Sequence, residues 1–299
     1  LLQPHTLAAG LWDGQGISAV AAVDLDGDFL PEILQVSSGL FQVFWNQGDL
    51  AFSADDRQFM DATDQAQKYF TLALGDLDDD GDLDMVLPGF GLSTEAEDNF
   101  WTGGPDRILM LEDRTFQHAM DLVAGSAGSR TMAVTFTDRD LDGDLDLFVP
   151  GDLGPSTSFW RNDGIDSQGL PLLENDADEI GAALWMHAMG VDGADLNGDG
   201  LLDYCMSDIG LPKCLLSNPS GYAEGSLSLG IASEHLVGTW GTIGWSLDMS
   251  DMDNDSWMDM LQASGPDDGA IEADELDYAD LFWAGLEGGG FSEITTETG

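Results

Sequence analysis

One acidic pattern, nine residues long, recurs five times along the chain and constrains its fold more than any other feature. The clearest copy runs from Asp138 to Asp146, with acids at positions 1, 3, 5 and 9. Carboxylates crowded in this way repel one another unless a cation lies among them, and hard oxygen ligands in that number suit Ca²⁺. A glycine within the pattern allows a tight bend. The pattern therefore predicts a calcium-binding loop.

The other four copies begin at Asp24, Asp76, Asp195 and Asp251. The first acids of successive copies lie roughly 57 residues apart, and recurrence at such a period indicates a repeat architecture. The main alternative is the EF-hand, which needs a bidentate Glu at position 12 and two flanking helices. Position 12 holds Gln35, Leu87, Val149, Met206 and Gln262. No copy has an acid there, so we reject the EF-hand.

Each repeat predicts four short strands with no helical period between them. A first strand enters the loop, at Ser18–Val23, Phe70–Gly75, Met132–Thr137, Met189–Ala194 and Trp245–Ser250. A second apolar strand leaves the loop, and a third, often aromatic, follows it. An outer strand is predicted to start near Phe52, Phe116, Tyr222 and Phe291, and is least clear in the third repeat. Four short strands per unit are typical of a propeller blade.

These units resemble the FG-GAP/VCBS repeats of integrin α-subunit propellers and of secreted acidic proteins such as the cartilage acidic protein group. The resemblance rests on Asp-x-Asp/Asn-x-Asp-x-x-x-Asp/Glu between two apolar strands, and it covers almost the whole chain. It implies an all-β fold, a β-propeller of four-stranded antiparallel blades. The implied domain is a single one over residues 1–299, with repeats beginning near 18, 70, 132, 189 and 245. Five repeats are seen, and part of a six- or seven-bladed propeller is the alternative.

The resemblance also implies about five Ca²⁺ ions, one in each loop. The implied side-chain ligands are Asp24, Asp26, Asp28 and Glu32; Asp76, Asp78, Asp80 and Asp84; Asp138, Asp140, Asp142 and Asp146; Asp195, Asn197, Asp199 and Asp203; and Asp251, Asp253, Asp255 and Asp259. Backbone carbonyls at position 7 would come from Leu30, Asp82, Asp144, Leu201 and Trp257. Two departures predict weaker or distorted sites, because Ser256 stands where a glycine is common and Glu32 replaces an aspartate.

The charge of the chain limits its partners. There are 57 Asp+Glu against 8 Lys+Arg, for a formal net charge of −49. Such a field repels nucleic acid and anionic lipid and attracts divalent cations or cationic partners. A halophilic habitat would favour the same acidity. No apolar run reaches the roughly 18 residues of a membrane span. The chain starts at Leu1 without a Met or a signal peptide, so we interpret it as a processed or excised mature segment.

Calcium and cysteine usage both favour an extracellular protein, either secreted or on the cell surface. Low-affinity calcium modules suit the millimolar calcium outside cells. Cys205 and Cys214 lie on successive predicted strands, where a cross-strand disulfide is possible; two buried free thiols are the alternative. Residues His5–Leu11 resemble a spare outer strand, which pairs within a longer propeller or with another protomer. Long loops are predicted at Leu92–Asp106, Asp163–Ala182 and Pro266–Ala279.

No catalytic constellation is found in the sequence, so we predict that the protein is not an enzyme. Nucleophile, zinc and phosphate-loop motifs are absent, and His187 is interpreted as a polar residue at a strand start. Trp45, Trp160 and Trp283 recur at one strand position, where they pack between blades or, alternatively, stack on sugars. The preferred function is a calcium-binding role in cell adhesion or extracellular assembly, with an extracellular protein or glycan, or another copy of the chain, as partner. Carbohydrate binding or polysaccharide processing is the alternative.

Overall fold

The computed structural model describes residues 18–37, 40–54, 58–59, 67–92, 103–123, 130–155, 157–231, 243–265 and 280–295. These residues form 26 β-strands and no helix. Consecutive strands pair antiparallel, as the alternation of short apolar runs with Gly, Asn and Asp turns predicts. The all-β prediction is therefore confirmed. No helix capable of spanning a membrane is found among the described residues.

The chain folds into two compact units. The first comprises Leu1–Phe136, Gly143–Leu145 and Asn162–Leu172; the second comprises Thr137–Asp142, Asp146–Arg161 and Leu173–Gly299. The prediction of one domain over residues 1–299 stays a prediction.

The first unit contains two of the predicted blades. The first sheet is formed by β1 (Ala19–Val23), β2 (Glu32–Ser37), β3 (Leu40–Asn46) and β4 (Phe52–Ala54), with β5 (Gln58–Phe59) also pairing with β3. The second is formed by β7 (Ala73–Gly75), β8 (Asp84–Leu87), β10 (Asp106–Glu112) and β11 (Thr115–Leu122). A small sheet pairs β6 (Gln67–Tyr69) with β9 (Gly89–Leu92). The core between these strands includes Leu34, Phe41, Met85 and Phe116.

Two further blades lie in the second unit. One consists of β19 (Val191–Ala194), β20 (Asp203–Met206), β21 (Lys213–Asn218) and β22 (Gly221–Glu224). The other consists of β23 (Ile243–Ser250), β24 (Asp259–Gly265), β25 (Leu281–Gly285) and β26 (Phe291–Glu293). Cys205 and Cys214 are directly opposite each other on β20 and β21, and they form a disulfide. The disulfide is buried in a core with Met260 and Trp283.

The remaining strands form the third blade and one further small sheet. The third sheet follows the order β13 (Thr135–Thr137), β14 (Asp146–Val149), β16 (Ser158–Ile165) and β17 (Pro171–Asn175), and it contributes residues to both units. The strand β12 (Arg130–Thr131) is in the first unit, whereas β15 (Gly151–Pro155) pairs with β18 (Trp185–His187) in the second. Aromatic rings of Phe148, Phe159, Tyr204 and Tyr222 pack together in the second unit.

Some strand predictions are wrong in their bounds. Asp163–Ala182 is predicted as a loop, but it contains β17, the outer strand that is least clear in the third repeat. The first strands of the second, third and fourth blades begin two or three residues later than predicted. The predicted strand His5–Leu11 and loop Pro266–Ala279 lie outside the described residues, as do most residues of Leu92–Asp106.

Candidate metal centres

All five acidic loops occupy the same place in their blades. Each loop begins one residue after the first strand ends, and its position-9 acid is the first residue of the second strand. These second strands are mostly apolar beyond the acid, and in β8, β14 and β20 every residue is buried. The position-9 acid is therefore drawn into the interior by the strand that follows it. Its side chain is nearly inaccessible in every copy, at Glu32, Asp84, Asp146, Asp203 and Asp259.

Within a loop, carboxylates at positions 1, 3 and 5 bind the loop's own backbone. In the fourth copy, Asp195 accepts hydrogen bonds from the N–H groups of Asp199 (3.1 Å) and Gly200 (2.9 Å). Asp199 in turn accepts one from Leu201 N–H, 2.9 Å away. The fifth copy repeats this pattern at the corresponding residues. Short acidic side chains therefore curl the backbone into a compact turn even before any ion is considered.

Positions 4 and 6 of every loop take positive φ. These residues are Gly27 and Phe29, Asp79 and Gly81, Leu141 and Gly143, Gly198 and Gly200, and Asn254 and Ser256. Glycine adopts such angles without steric cost, whereas most side chains do not. Only the fifth loop has no glycine at either position. The structure therefore gives a backbone reason for treating Ser256 as a departure from the pattern.

We expect Ser256→Gly to stabilise the fifth blade by about 0.5–1 kcal/mol, because φ at Ser256 is 78°. The midpoint of chemical denaturation measures this change. The matched control is Gly81→Ser, the opposite change at the same position of the second loop. A Cβ at Gly81 meets no atom within 4 Å, so backbone strain alone should make that variant less stable. Equal midpoints for the two variants would contradict the prediction.

The position-9 acid has a second role that the sequence pattern does not indicate. Asp203 accepts a hydrogen bond from Leu196 N–H at 3.0 Å with one oxygen, and bonds from Ser217 N–H and Oγ at 2.7 and 2.8 Å with the other. Three other copies likewise join position 2 of the loop to the third strand: Glu32 bonds Leu25 and Asn46, Asp84 bonds Leu77 and Leu111, and Asp259 bonds Met252 and Gly285. Asp146 accepts the position-2 bond, from Arg139 N–H. These acids therefore clamp the loop to the sheet.

The donor set of the loops fits a hard divalent cation. In four loops, oxygens of three acids lie within 4.8 Å of one another: Asp24, Asp26 and Glu32; Asp76, Asp78 and Asp84; Asp138, Asp140 and Asp142; and Asp251, Asp253 and Asp255. The fourth loop has an amide oxygen, Asn197, in the same sequence position. Oδ1 of Asp78 is buried and has no hydrogen-bond partner. All-oxygen sets of this kind suit Ca²⁺ rather than softer metals. Ligation by the position-7 carbonyls stays a prediction.

Electrostatics in the second loop also favour a bound cation. The pKa of Asp84 is raised to about 7, mainly by burial. Hydrogen bonds from Leu77 and Leu111 oppose this rise, and the charges of Asp78 and Asp80 add to it. Burial also raises the pKa of Asp78, with Asp80 and Asp76 adding to the shift. A cation among these carboxylates would favour their charged forms and reverse both shifts.

We expect the metal-free protein to lose stability as the pH rises from about 4 to 7. A folded-state pKa of about 7 for Asp84, above the unfolded value of 3.8, means that the folded state binds more protons in this range. Added Ca²⁺ should reverse the slope, because it binds the deprotonated acids. Urea denaturation in chelator and in calcium, at several pH values, measures both slopes. Curves of the same slope with and without calcium would contradict the prediction.

A guanidinium group lies against the first loop. Arg114, in the turn after β10, places its side chain 3.0 Å from Oδ2 of Asp26 and 4.0 Å from the centre of the Trp45 ring. This arginine competes with a cation for Asp26. We expect Arg114→Gln to tighten Ca²⁺ binding at the first site by about two- to fivefold. Calorimetric titration measures the affinity, and Arg114→Lys, which keeps the charge, should bind like the wild type. Equal affinities in all three proteins would contradict the competition.

The remaining candidate residues make contacts within the fold. Trp45 and Trp283 are buried in the cores of their blades, so the packing interpretation applies to them. His187 is half-buried at the end of β18, with Nδ1 3.2 Å from Asp152 Oδ1. Arg139 and Arg161 both contact the buried Asp176, at 2.8 and 3.5 Å. No sequence pattern indicates these ion pairs, because their partners lie far apart along the chain.

Comparison with known proteins agrees with this architecture. Residues 24–87 match the FG-GAP-like repeat family. No curated protein sequence matches the chain significantly. Among solved structures, the chain is similar to a lectin from Agrocybe aegerita, described for its specific recognition of non-reducing terminal N-acetylglucosamine. The TM-score is 0.50 at 17% identity, over 94% of this chain and 66% of the lectin chain.

The likeness to the lectin, at this identity, concerns the fold alone. The chain spans about two thirds of the lectin's length. The family match covers the first loop, the second loop and the strands between them, and the other three loops repeat the same pattern. Residues 24–87 thus match an FG-GAP-like repeat, and the chain has the all-β fold of a β-propeller built from four-stranded antiparallel blades.

Proposed function

We propose that the five loops bind Ca²⁺ and that the protein is an extracellular, non-catalytic scaffold for adhesion or assembly. The observation that carries this proposal is the recurrence of clustered acids at one place in every blade, with oxygens within 4.8 Å in four of them. When bound, the ion supplies positive charge to a site that is otherwise purely anionic. The loop residues hold the ion, and the position-9 acid transmits its constraint to the second and third strands.

The extracellular placement is supported by two features. Sites made from exposed loops suit millimolar calcium, which is found outside cells. The Cys205–Cys214 disulfide is of the kind that persists in oxidising compartments.

The net charge of −49 favours cationic or neutral partners over nucleic acid. We propose no catalysis, because in most loops the position-9 acid and several of the other acids are held by backbone N–H groups.

Calcium binding is tested on metal-free protein by calorimetric titration, with bound calcium counted by elemental analysis after dialysis. We expect about five equivalents at millimolar Ca²⁺. The double variant Asp138→Ala, Asp140→Ala should bind one equivalent fewer. Mg²⁺ should bind more weakly, because it demands a smaller octahedral site. Binding of less than one equivalent would reject the proposal.

The scaffold role has its own experiment. Immobilised protein is offered to cells, and free protein is followed by sedimentation, each with calcium or with chelator. Calcium-dependent attachment or self-assembly would support the role. If neither occurs in calcium-loaded protein, the scaffold role is rejected while calcium binding still stands.

Carbohydrate binding is the second candidate function. It is favoured by the likeness in fold to a lectin, over 94% of the chain. The strongly negative charge limits such ligands to neutral sugars, because uronic or sulfated sugars would be repelled. A printed glycan array probed with calcium-loaded protein tests this function. Signals on neutral glycans would support it, and a blank array would reject it.

A further inference from the structure

An exposed aromatic patch lies in the second unit, apart from the acidic loops. Trp185, Trp245 and Ile209 are 61%, 43% and 41% exposed, although they lie in or next to paired strands. We call these three residues, with His187, Lys213 and the buried Asp208, the Asp208 patch. Large side chains at such exposure lose apolar burial, so a rigid patch of them points to a binding surface.

Asp208 connects the separate parts of the patch. Its Oδ1 accepts hydrogen bonds from the N–H groups of His187 (2.9 Å) and Ile209 (2.8 Å), and its Oδ2 lies 2.8 Å from Lys213 Nζ. Its carbonyl accepts a hydrogen bond from Gly244 N–H at 3.0 Å. The carboxylate of Asp208 therefore holds the segment that carries Trp185, and its backbone carbonyl holds the segment that carries Trp245.

Trp185 is exposed but firmly held. Its carbonyl accepts a hydrogen bond from Lys213 Nζ at 2.8 Å, and its strand β18 pairs with β15. Its indole contacts the His187 ring edge-on, with centroids 5.1 Å apart, and Asp152 bonds that histidine through Nδ1. The ring therefore offers a broad face to solvent at little conformational cost, which is what a stacking platform requires.

Trp245 is directed outward by a β-bulge. The register of β23 against β24 shifts between Gly244 and Ser246, and bulges re-aim the residue between them. The indole lies over Gly265, where a Cβ would stand 3.0 Å from Nε1. A local irregularity and a glycine thus accommodate an exposed ring that the core does not use.

We propose that the Asp208 patch binds a neutral saccharide, with the indoles stacking on the apolar faces of sugar rings. This inference rests on the carbohydrate-binding proposal and names its site. Exposed aromatic faces beside a few polar groups are the usual chemistry of sugar sites, and the half-buried His187 ring is such a polar group. Lys213 is paired with Asp208, so these two charges balance within the patch, which suits a neutral ligand. The net charge of −49 favours a neutral sugar over an acidic one at this patch.

The proposal is tested by saturation-transfer NMR and tryptophan fluorescence, with calcium-loaded protein and millimolar methyl glycosides of glucose, galactose, mannose and the N-acetylhexosamines. Because a monosaccharide is small, we expect a dissociation constant on the order of 1 mM. Trp185→Ala and Trp245→Ala should each weaken binding roughly tenfold. Leu227→Ala, which removes a comparably exposed side chain from another part of the unit, is the matched control and should bind like the wild type.

The outcomes separate the site from the function. Calcium titration and circular dichroism first establish that the variants are folded. If the wild type binds a glycoside and both tryptophan variants bind it equally well, the site is wrong and carbohydrate binding stands. If the wild type binds none of the glycosides, both are rejected. If the tryptophan variants change only the sedimentation coefficient, the patch is a contact between copies of the chain and the proposal is overturned.

Discussion

Removal of calcium from the saturated protein is expected to lower its melting temperature by upwards of about 15 °C. A site at ten to one hundred times its dissociation constant contributes about 1.4–2.7 kcal/mol, so five sites contribute about 7–13 kcal/mol. That is comparable with the whole stability of a typical domain, and each kcal/mol shifts the melting temperature by about 2–4 °C at this size. Without the ion, four of the loops also keep three acids within a few ångströms of one another.

Scanning calorimetry in calcium and in chelator measures this difference. Mg²⁺ at the same concentration is the control for ionic strength, and re-addition of Ca²⁺ should restore the original melt. A double variant of the fifth loop, Asp251→Asn with Asp253→Asn, should show a smaller calcium response than the wild type. A melting temperature unchanged by chelator would show that calcium does not stabilise the fold.

The second large effect is expected at the position-9 acid, and a large part of it should persist without calcium. Asp203→Ala deprives Leu196 N–H, Ser217 N–H and Ser217 Oγ of their acceptor in a fully buried place. An unsatisfied buried donor costs about 1–3 kcal/mol, so we expect a loss of about 3–5 kcal/mol. The loss should appear in chelator, where no ion is bound.

Asp199→Ala is the matched control in the same loop. Asp199 is exposed and bonds only its own loop, at Leu201. In chelator this variant should stay within about 0.5 kcal/mol of the wild type, whereas in calcium it should lose the contribution of one ion. Urea denaturation of both variants under both conditions measures the difference. Equal losses in chelator would show that the position-9 acid has no clamping role.

The acidic loops and their strands could be predicted from the sequence because both signals are local. Aspartates at alternate positions interact within nine residues, and an apolar run such as Met85-Val86-Leu87 indicates a buried strand wherever it packs. The strand β17 could not be predicted in this way, because Leu172 and Leu173 lie among polar residues and turns. Its pairing with β16 comes from the sheet rather than from its own pattern.

Contacts across blades or between distant segments were not predictable in the same way. The clamp between Asp203 and Ser217 joins residues 14 apart, and Asp26 meets an arginine from another blade. The recurring strand position predicted that Trp45, Trp160 and Trp283 pack between blades, with sugar stacking as the alternative. Trp45 and Trp283 are buried, whereas the exposed Trp185 stands outside that pattern. Tryptophan suits both environments, so only the packing of neighbouring strands decides between them.

The sequence by itself determined that the chain is an array of antiparallel blades with one crowded acidic turn in each, because charge repulsion and strand alternation act over a few residues. The tertiary structure alone decided which acids join the loops to the sheets and which indoles face solvent. It also decided that the side chain of Arg114 lies against the first loop. These features depend on which distant residues the fold places beside each side chain. The burial of a side chain and the distance to its partners therefore cannot be predicted from the neighbouring sequence.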